Sequence, residues 1–168
     1  MAVKTGRELA GLAVVTLTGG ERLGRIDDIV FQAATGLVAG FLVDRGGMFS
    51  KARFLPAAQV QSLGADALTV TGEEALVEAA PTSAEELATK TLVGRPVLNQ
   101  AGTILGKVAD VAVDTETLHV PYLLLATGLL ENALHGKPQL PLSQVQTIGA
   151  DSVIVSNTYD PKATDAHN

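Results

Sequence analysis

Several residue types are missing or scarce in this 168-residue chain, and each absence excludes a class of protein. There is no cysteine, so neither disulfides nor thiolate metal sites can form. Tryptophan is absent and aromatic residues make up only 4%, which leaves Val, Leu, Ile and Ala to build the core. No apolar run approaches the roughly 20 residues that a transmembrane helix needs. We therefore expect a globular protein without a membrane span, located in the cytoplasm.

Positive charge is also in deficit, since 12 Lys and Arg stand against 18 Asp and Glu and give a net charge of −6. The basic residues are spread along the sequence, so the chain as a whole would repel a phosphate backbone. We predict that nucleic acid is not the partner.

The N-terminal segment resembles a secretory signal in one respect, since Lys4 and Arg7 precede an apolar run. Glu8 interrupts that pattern.

The second half of the sequence repeats the first half. The segment LPAAQVQSLGADALTV from Leu55 matches LPLSQVQTIGADSVIV from Leu140 at nine of sixteen positions, and the stretch from Leu9 matches the stretch from Leu92. Two modules of similar size follow from this pattern. We divide the chain into repeat 1 (1–72), an Ala/Glu-rich linker (73–90), repeat 2 (91–157) and a mobile tail (158–168).

Short apolar runs separated by Gly, Pro and Asp predict an all-β protein. The expected strands are 13–18, 23–32, 37–44, 52–55, 60–64 and 67–71, then 96–99, 105–114, 118–126, 139–142, 145–149 and 152–156. Such spacing favours a small antiparallel sandwich or barrel in each repeat, with short helical connections. Ser83 and Glu86 form a capping-box pattern that predicts a helix from Ala84 to about Lys90.

One turn is expected to differ between the repeats. Thr35-Gly36 closes a hairpin in repeat 1, where glycine can take a positive φ. Repeat 2 has Asp114-Thr115-Glu116-Thr117 at the matching place and no glycine. We therefore predict a different turn type in repeat 2.

The glycines and core positions carry a family resemblance. Leu-x-Gly, a Val-rich strand, Gly-x-x-Leu-Gly-[Arg/Lys]-[Ile/Val]-x-Asp and a closing Leu-Pro-x-x-x-Val-x-x-[Leu/Ile]-Gly-x-Asp occur in both halves. This pattern resembles the PRC-barrel, a domain of the photosynthetic reaction centre H subunit and of a ribosome maturation factor. The resemblance covers Leu9 to Thr71 and Leu92 to Ser156. It implies two small antiparallel β-barrels in tandem, each closed by its own repeat. It also implies a non-enzymatic module that docks macromolecules or helps to assemble complexes.

A search for chemistry in the sequence finds only a recurring carboxylate. Asp28 of repeat 1 corresponds to Asp110 of repeat 2, and Asp27 and Asp114 lie nearby. These four residues are the candidates for a small-ligand or divalent-ion site, and the alternative is that they bond turns or face solvent. No nucleophile elbow, phosphate-binding loop or dinucleotide fingerprint occurs, so we expect no enzyme and no cofactor.

Histidines give no metal site in this interpretation. Glu131 and His135 have helical i, i+4 spacing, but a zinc site needs at least three protein ligands and no third is evident. We expect them, together with His119 and His167, to be surface or structural residues.

Two corresponding loops have bulky apolar tips, which is unusual for surface connections. Both precede a Leu-Pro strand. The residues in repeat 1 are Met48 and Phe49 at the tip, with Phe54 beyond it, and those in repeat 2 are Leu129, Leu130 and Leu134. Either each loop covers its own module, or the loops bind a protein partner or a second copy in a homodimer.

These observations leave three functional hypotheses. The preferred one is a protein-interaction or assembly module in which two barrels present a composite surface. The alternative is a sensor that binds a small ligand or divalent ion through the repeated carboxylates. An RNA-processing or ribosome-associated role comes third because of the acidic balance.

Overall fold

The computed structural model describes residues 2–48, 51–79, 82–128 and 136–164 and is built mostly of short strands. Its first half contains a leading strand and a helical turn, followed by seven strands. Their bounds are β1 (Val3–Thr5), α1 (Gly6–Leu9), β2 (Ala13–Thr16), β3 (Arg22–Gln32), β4 (Val38–Asp44), β5 (Arg53–Pro56), β6 (Val60–Leu63), β7 (Ala67–Val70) and β8 (Val77–Glu78).

The second half repeats this order of elements, except that six strands follow its helical turn and a short helix takes the place of the last strand. Its bounds are β9 (Glu86–Ala88), α2 (Thr89–Leu92), β10 (Pro96–Leu98), β11 (Ile104–Asp114), β12 (Tyr122–Ala126), β13 (Gln139–Pro141), β14 (Val145–Ile148), β15 (Val153–Val155) and α3 (Pro161–Thr164). Every strand expected from the sequence is present, although β12 begins at Tyr122, four residues after the predicted start at Leu118. Strands β1, β8 and β9 were not predicted, because runs of two or three residues carry no periodic signal.

Each repeat forms one mixed sheet. The strand order is β6-β7-β2-β3-β4-β5-β8 in the first sheet and β14-β15-β10-β11-β12-β13 in the second. The prediction of antiparallel barrels is wrong at one pair in each sheet, since β7 runs parallel to β2 and β15 runs parallel to β10. Within the described residues the hydrogen-bonded path of repeat 1 runs from β6 to β8 without closing on itself.

The two repeats exchange their leading strands. Strand β1, at the start of repeat 1, pairs with β11 of repeat 2, with Val3 opposite Asp114 and Thr5 opposite Ala112. Strand β9, which precedes repeat 2, pairs with β3 of repeat 1. The expectation that each repeat closes its own barrel is therefore wrong, because each sheet includes a strand from the other half of the chain.

The predicted linker helix is replaced by strand β9. Half of its capping box is present, since the N–H of Ser83 donates to Oε1 of Glu86 at 3.3 Å. The following residues instead join the ladder of β3, because pairing with a sheet edge outweighs local helix propensity. A complete capping box occurs at α1, where Thr5 Oγ1 accepts from the N–H of Glu8 and Glu8 Oε1 accepts from the N–H of Thr5.

The hairpin turns of the two repeats have the same hydrogen bond and lie against each other. Leu118 takes a left-handed φ of 53° where repeat 1 has Gly36 at 78°, so the prediction of a different turn type is wrong. Each turn carbonyl accepts from the other repeat: the N–H of Val38 donates to Leu118 at 2.9 Å and the N–H of Val120 donates to Gly36 at 2.7 Å. These cross-repeat bonds hold the leucine in a conformation that costs an isolated residue about 1 kcal/mol.

The buried side chains of both repeats form one continuous hydrophobic cluster. Leu9 and Leu92, the last residues of α1 and α2, are completely buried in it. Tyr159 is also buried and its hydroxyl donates to the carbonyl of Gln139 at 3.0 Å, so this part of the predicted tail packs on repeat 2.

Candidate functional site

A pocket of about 260 Å³ lies between the two repeats, where the exchanged segments meet β3 and β11. Both halves of the chain contribute corresponding residues to it. Its apolar walls are Gly6, Ala10, Ile26, Val93 and Ala109, and its charged lining consists of Arg7, Asp27, Asp28, Lys90 and Asp110.

Asp28 is the most buried charged group of the pocket, with 7% of its surface exposed. Its Oδ1 accepts from the N–H of Ile29 at 2.8 Å and from the N–H of Lys90 at 3.2 Å. The bond to Lys90 joins the Asp28 carboxylate of repeat 1 to the segment that leads into repeat 2. Burial raises the pKa of Asp28, and this effect outweighs the two hydrogen bonds, which lower the pKa.

Asp110 makes the same connection in the opposite direction. It accepts from the N–H of Val111 at 2.7 Å and from the N–H of Arg7 at 3.1 Å. Gly6 permits this approach, since a Cβ there would lie 2.6 Å from Oδ1 of Asp110. At the equivalent position the other half has Thr89, whose hydroxyl donates to the carbonyl of Ile29 at 3.1 Å.

An ion pair makes the pocket asymmetric. Nζ of Lys90 lies 2.8 Å from Oδ1 of Asp27, and this hydrogen bond raises the pKa of Lys90. Repeat 2 has Ala109 at the position of Asp27. The side of the pocket formed by repeat 1 therefore carries one additional carboxylate.

The fourth candidate carboxylate lies elsewhere. Asp114 is at the end of β11, where its Oδ1 accepts from the N–H groups of Glu116 and Thr117. Desolvation opposes ionisation here, but these bonds prevail and lower the pKa of Asp114. The structure thus brings Asp27, Asp28 and Asp110 together and places Asp114 in a turn.

The pocket carboxylates already have partners. Asp28 and Asp110 accept hydrogen bonds from backbone N–H groups, and Asp27 forms an ion pair with Lys90. Within the described residues, no group of three or more His, Asp or Glu side chains is placed to hold a metal ion. His119 lies against the other repeat, with Nε2 3.0 Å from the carbonyl oxygen of Thr35. Glu131, His135 and His167 lie outside the described residues.

The apolar loop residues are only partly described. Met48 is 91% exposed in the connection between β4 and β5. Phe54 is half-buried in β5, and its ring occupies the space where a Cβ on Gly40 would lie. Its contact is thus largely internal, and its role in binding stays a prediction. Phe49, Leu129, Leu130 and Leu134 lie outside the described residues.

The fold gathers basic residues that are dispersed in the sequence. Two adjacent clefts share Arg45 at one end of repeat 1, and their other cationic residues are Arg22, Arg25, Lys51 and Arg53. Several are held by acceptors of the protein itself: Arg45 pairs with Glu73 at 3.0 Å, and Arg53 donates to the carbonyl of Val77.

Sequence reasoning missed the residues that the exchanged segments bring to the pocket. These are Gly6, Arg7, Ala10, Thr89, Lys90 and Val93. One signal was available, because the repeat correspondence that pairs Gly11 with Gly94 also pairs Gly6 with Thr89 and Ala10 with Val93. It shows that the positions match, but not that each segment crosses to the other sheet.

Among the described residues, no helix combines the length and the hydropathy needed to cross a membrane.

Comparison with known proteins identifies the family. No curated protein sequence matches the chain significantly. The family model of the PRC-barrel domain matches twice, over residues 1–77 and 84–161. The chain therefore belongs to the PRC-barrel family and contains two tandem PRC-barrel domains.

Proposed function

We propose that this chain is a non-enzymatic interaction or assembly module that works as a single unit and binds a protein partner, in the cytoplasm. The observation that carries this proposal is the pocket between the repeats. Residues 6–10 come from the segment that crosses to repeat 2, and residues 89–93 come from the segment that crosses to repeat 1. Neither repeat has this surface without the other.

The chemistry of the pocket supports binding rather than turnover. Asp28 and Asp110 accept backbone N–H groups, and Asp27 is paired with Lys90, so these groups serve to fix the structure. Apolar walls with a few charged groups are typical of sites that receive an anchoring side chain. Val93 is 44% exposed at this site and offers contact area to a partner.

A second surface competes for the same role. Met48 has the largest exposed fraction among the large apolar side chains of the described residues, and its flexible thioether adapts to different partners. A homodimer or a partner complex formed through this loop would leave the pocket between the repeats free.

Three matched variants separate these surfaces. Val93→Lys places a positive charge at the pocket, Met48→Lys places one on the loop, and Ile104→Lys changes an apolar side chain that is 66% exposed and lies outside the pocket. All three positions are exposed, so we expect each variant to fold. Each variant is compared with the unmodified chain by affinity capture from native lysate, and light scattering gives the oligomeric mass.

We expect Val93→Lys to lose the captured partner by at least tenfold, which corresponds to about 1.4 kcal/mol. The Met48→Lys and Ile104→Lys variants should retain it. Loss with Met48→Lys alone would transfer the interaction to the loop, and a halved mass in that variant would identify a homodimer. Retention of every partner in all three variants would contradict an interaction role for both surfaces.

The sensor hypothesis has one specific observation in its favour. Asp27, Asp28 and Asp110 line the same pocket, as a shared carboxylate site requires. A thermal shift series with Ca²⁺, Mg²⁺ and Mn²⁺ tests it. An increase in Tm that disappears in Asp27→Asn would support an ion-binding function, and an unchanged Tm would contradict it.

A further inference from the structure

We propose that the pocket between the repeats receives a lysine or arginine side chain of the partner protein, with the cationic group facing Asp28. This inference depends on the proposed interaction function and specifies the chemistry of the partner. It rests on the charge balance of the pocket, the burial of Asp28 and the size of the cavity.

The charges of the pocket leave a negative excess. Arg7 and Lys90 stand against Asp27, Asp28 and Asp110. Lys90 is paired with Asp27, whereas within the described residues no side-chain cation forms a salt bridge with either of the other two carboxylates. Their hydrogen bonds come from backbone N–H groups, and the Lys90 ammonium, which is paired with Asp27, attracts the Asp28 carboxylate without a direct contact. A cation is the group that this balance favours.

The burial of Asp28 decides between a cationic and a neutral occupant. A neutral apolar group would remove water from a carboxylate that is already 93% buried, and would offer it no partner. Burial already raises the pKa of Asp28, so further desolvation would increase the free-energy cost of its ionised form. A cationic group offsets that cost through charge attraction at short range.

The walls and the size of the pocket favour a single side chain. Its volume of about 260 Å³ is below the roughly 300 to 1,000 Å³ of pockets that bind drug-sized ligands. Lysine and arginine carry aliphatic stems that pack against apolar surface while the charged end reaches a partner. Ala10, Ile26 and Val93 provide that surface here.

The experiment is an NMR titration of the full chain with two side-chain probes. Nα-acetyl-lysine methylamide carries the ammonium group, and Nα-acetyl-norleucine methylamide has a matching aliphatic stem without it. The backbone amides of Ile29 and Lys90 report binding, and the carboxyl carbon of Asp28 reports its pKa. We expect the lysine probe to shift these amides, to lower the pKa of Asp28 and to bind at least fivefold more tightly than the norleucine probe.

Asp28→Asn tests the role of the carboxylate because it keeps an oxygen acceptor for the amides and removes the charge. We expect it to weaken binding of the lysine probe at least fivefold, and Asp110→Asn provides the same test from the other repeat. Asp66→Asn, at an exposed position outside the pocket, is the control and should leave the affinity unchanged.

Three results would overturn the inference. The first is that the norleucine probe binds as tightly as the lysine probe, or that the norleucine probe raises the pKa of Asp28 while the lysine probe leaves that pKa unchanged. The second is no shift of either amide at probe concentrations up to about 50 mM, a range that covers weak single-side-chain binding. The third is a free diamine such as putrescine binding at least tenfold more tightly than the lysine probe, which would identify a small-molecule site.

The outcome is separable from that of the proposed function. If both probes fail but Val93→Lys still loses the captured partner, the interaction role stands and only the cationic occupant is wrong. If the lysine probe binds in the pocket and Val93→Lys retains every partner, the site is real but is not the docking surface.

Discussion

Asp28 and Lys90 stand 62 positions apart in the chain, yet the backbone N–H of Lys90 donates to both carboxylate oxygens of Asp28, at 3.2 and 3.4 Å. Arg7 and Asp110 repeat this relationship across 103 positions, at 3.1 Å. Each carboxylate belongs to one repeat and each N–H to the segment that crosses from the other. The two bonds therefore connect the repeats reciprocally, as in a symmetric dimer contained in one chain.

The first prediction concerns the acceptor role of Asp28. Asp28→Ala leaves the N–H groups of Ile29 and Lys90 without their acceptor, so we expect the free energy of unfolding to fall by about 2 to 3 kcal/mol. Asp28→Asn retains one oxygen and should change it by less than about 1 kcal/mol. Urea denaturation measures both, with Asp66→Ala as the exposed control. Equal losses in the two Asp28 variants would contradict this explanation.

The second prediction concerns pH. The pKa of Asp28 is raised in the folded state, so between that pKa and its ordinary value near 3.8 the folded protein binds more protons at this site than the unfolded chain does. Stability contributed by Asp28 therefore increases as the pH falls through this window. Glu8 and Asp114 have lowered pKa values and act in the opposite direction.

The comparison of wild type with Asp28→Asn cancels those opposing groups. We expect the wild type to gain stability relative to Asp28→Asn as the pH is lowered from 7 towards 4, in urea denaturation at each pH. Parallel stability curves, or a relative loss for the wild type, would show that Asp28 ionises without a burial penalty.

The third prediction concerns cooperativity. Leu9 and Leu92 are completely buried in the shared core, so we expect Leu9→Ala and Leu92→Ala each to lower the free energy of unfolding by about 2 to 5 kcal/mol. Since each residue belongs to an exchanged segment, either variant should destabilise both sheets. Hydrogen exchange should show β3 and β11 losing protection together.

Leu17→Ala is the matched control for these variants. Its side chain is 62% exposed, so its effect should stay within about 0.5 kcal/mol. Loss of protection confined to one sheet in Leu9→Ala would show that the repeats unfold independently despite the exchange.

The fourth prediction concerns a close approach of strands. A Cβ on Gly24 would lie 2.4 Å from the carbonyl oxygen of Asp44, whereas one on Gly64 would meet its nearest atom at 3.5 Å. We expect Gly24→Ala to destabilise the protein by about 1 to 3 kcal/mol through displacement of β4. Gly64→Ala should be much milder, and thermal denaturation of the pair measures the difference. Equal melting temperatures would contradict the steric argument.

Local pattern predicted much of the fold. Twelve of the strands between Ala13 and Val155 follow from short apolar runs bounded by Gly, Pro and Asp, because β-rich runs between turn residues are typical of strands. The correspondence of Asp28 with Asp110 also came from the repeat alone. The sequence did not predict β9, because Ser83 and Glu86 indicate a helix locally while the open edge of β3 offers a strand ladder.

The candidate site was only half predicted, for a similar reason. Three of the four carboxylates meet in one pocket, but their partners Arg7 and Lys90 come from segments whose destination depends on the other repeat. Leu118 gives a second example. Its left-handed conformation is unfavourable for leucine by itself. Cross-repeat hydrogen bonds impose the turn, from the N–H of Val38 to the Leu118 carbonyl and from the N–H of Val120 to the Gly36 carbonyl.

By itself, the sequence determined that this protein is two copies of one β-rich module with a carboxylate at the same place in each, because periodicity and repetition are local properties of the chain. Only the tertiary structure decided that the copies exchange their leading strands and enclose a pocket. Strand pairing across many positions depends on which sheet edge is free and close in space, and that is a property of the whole fold.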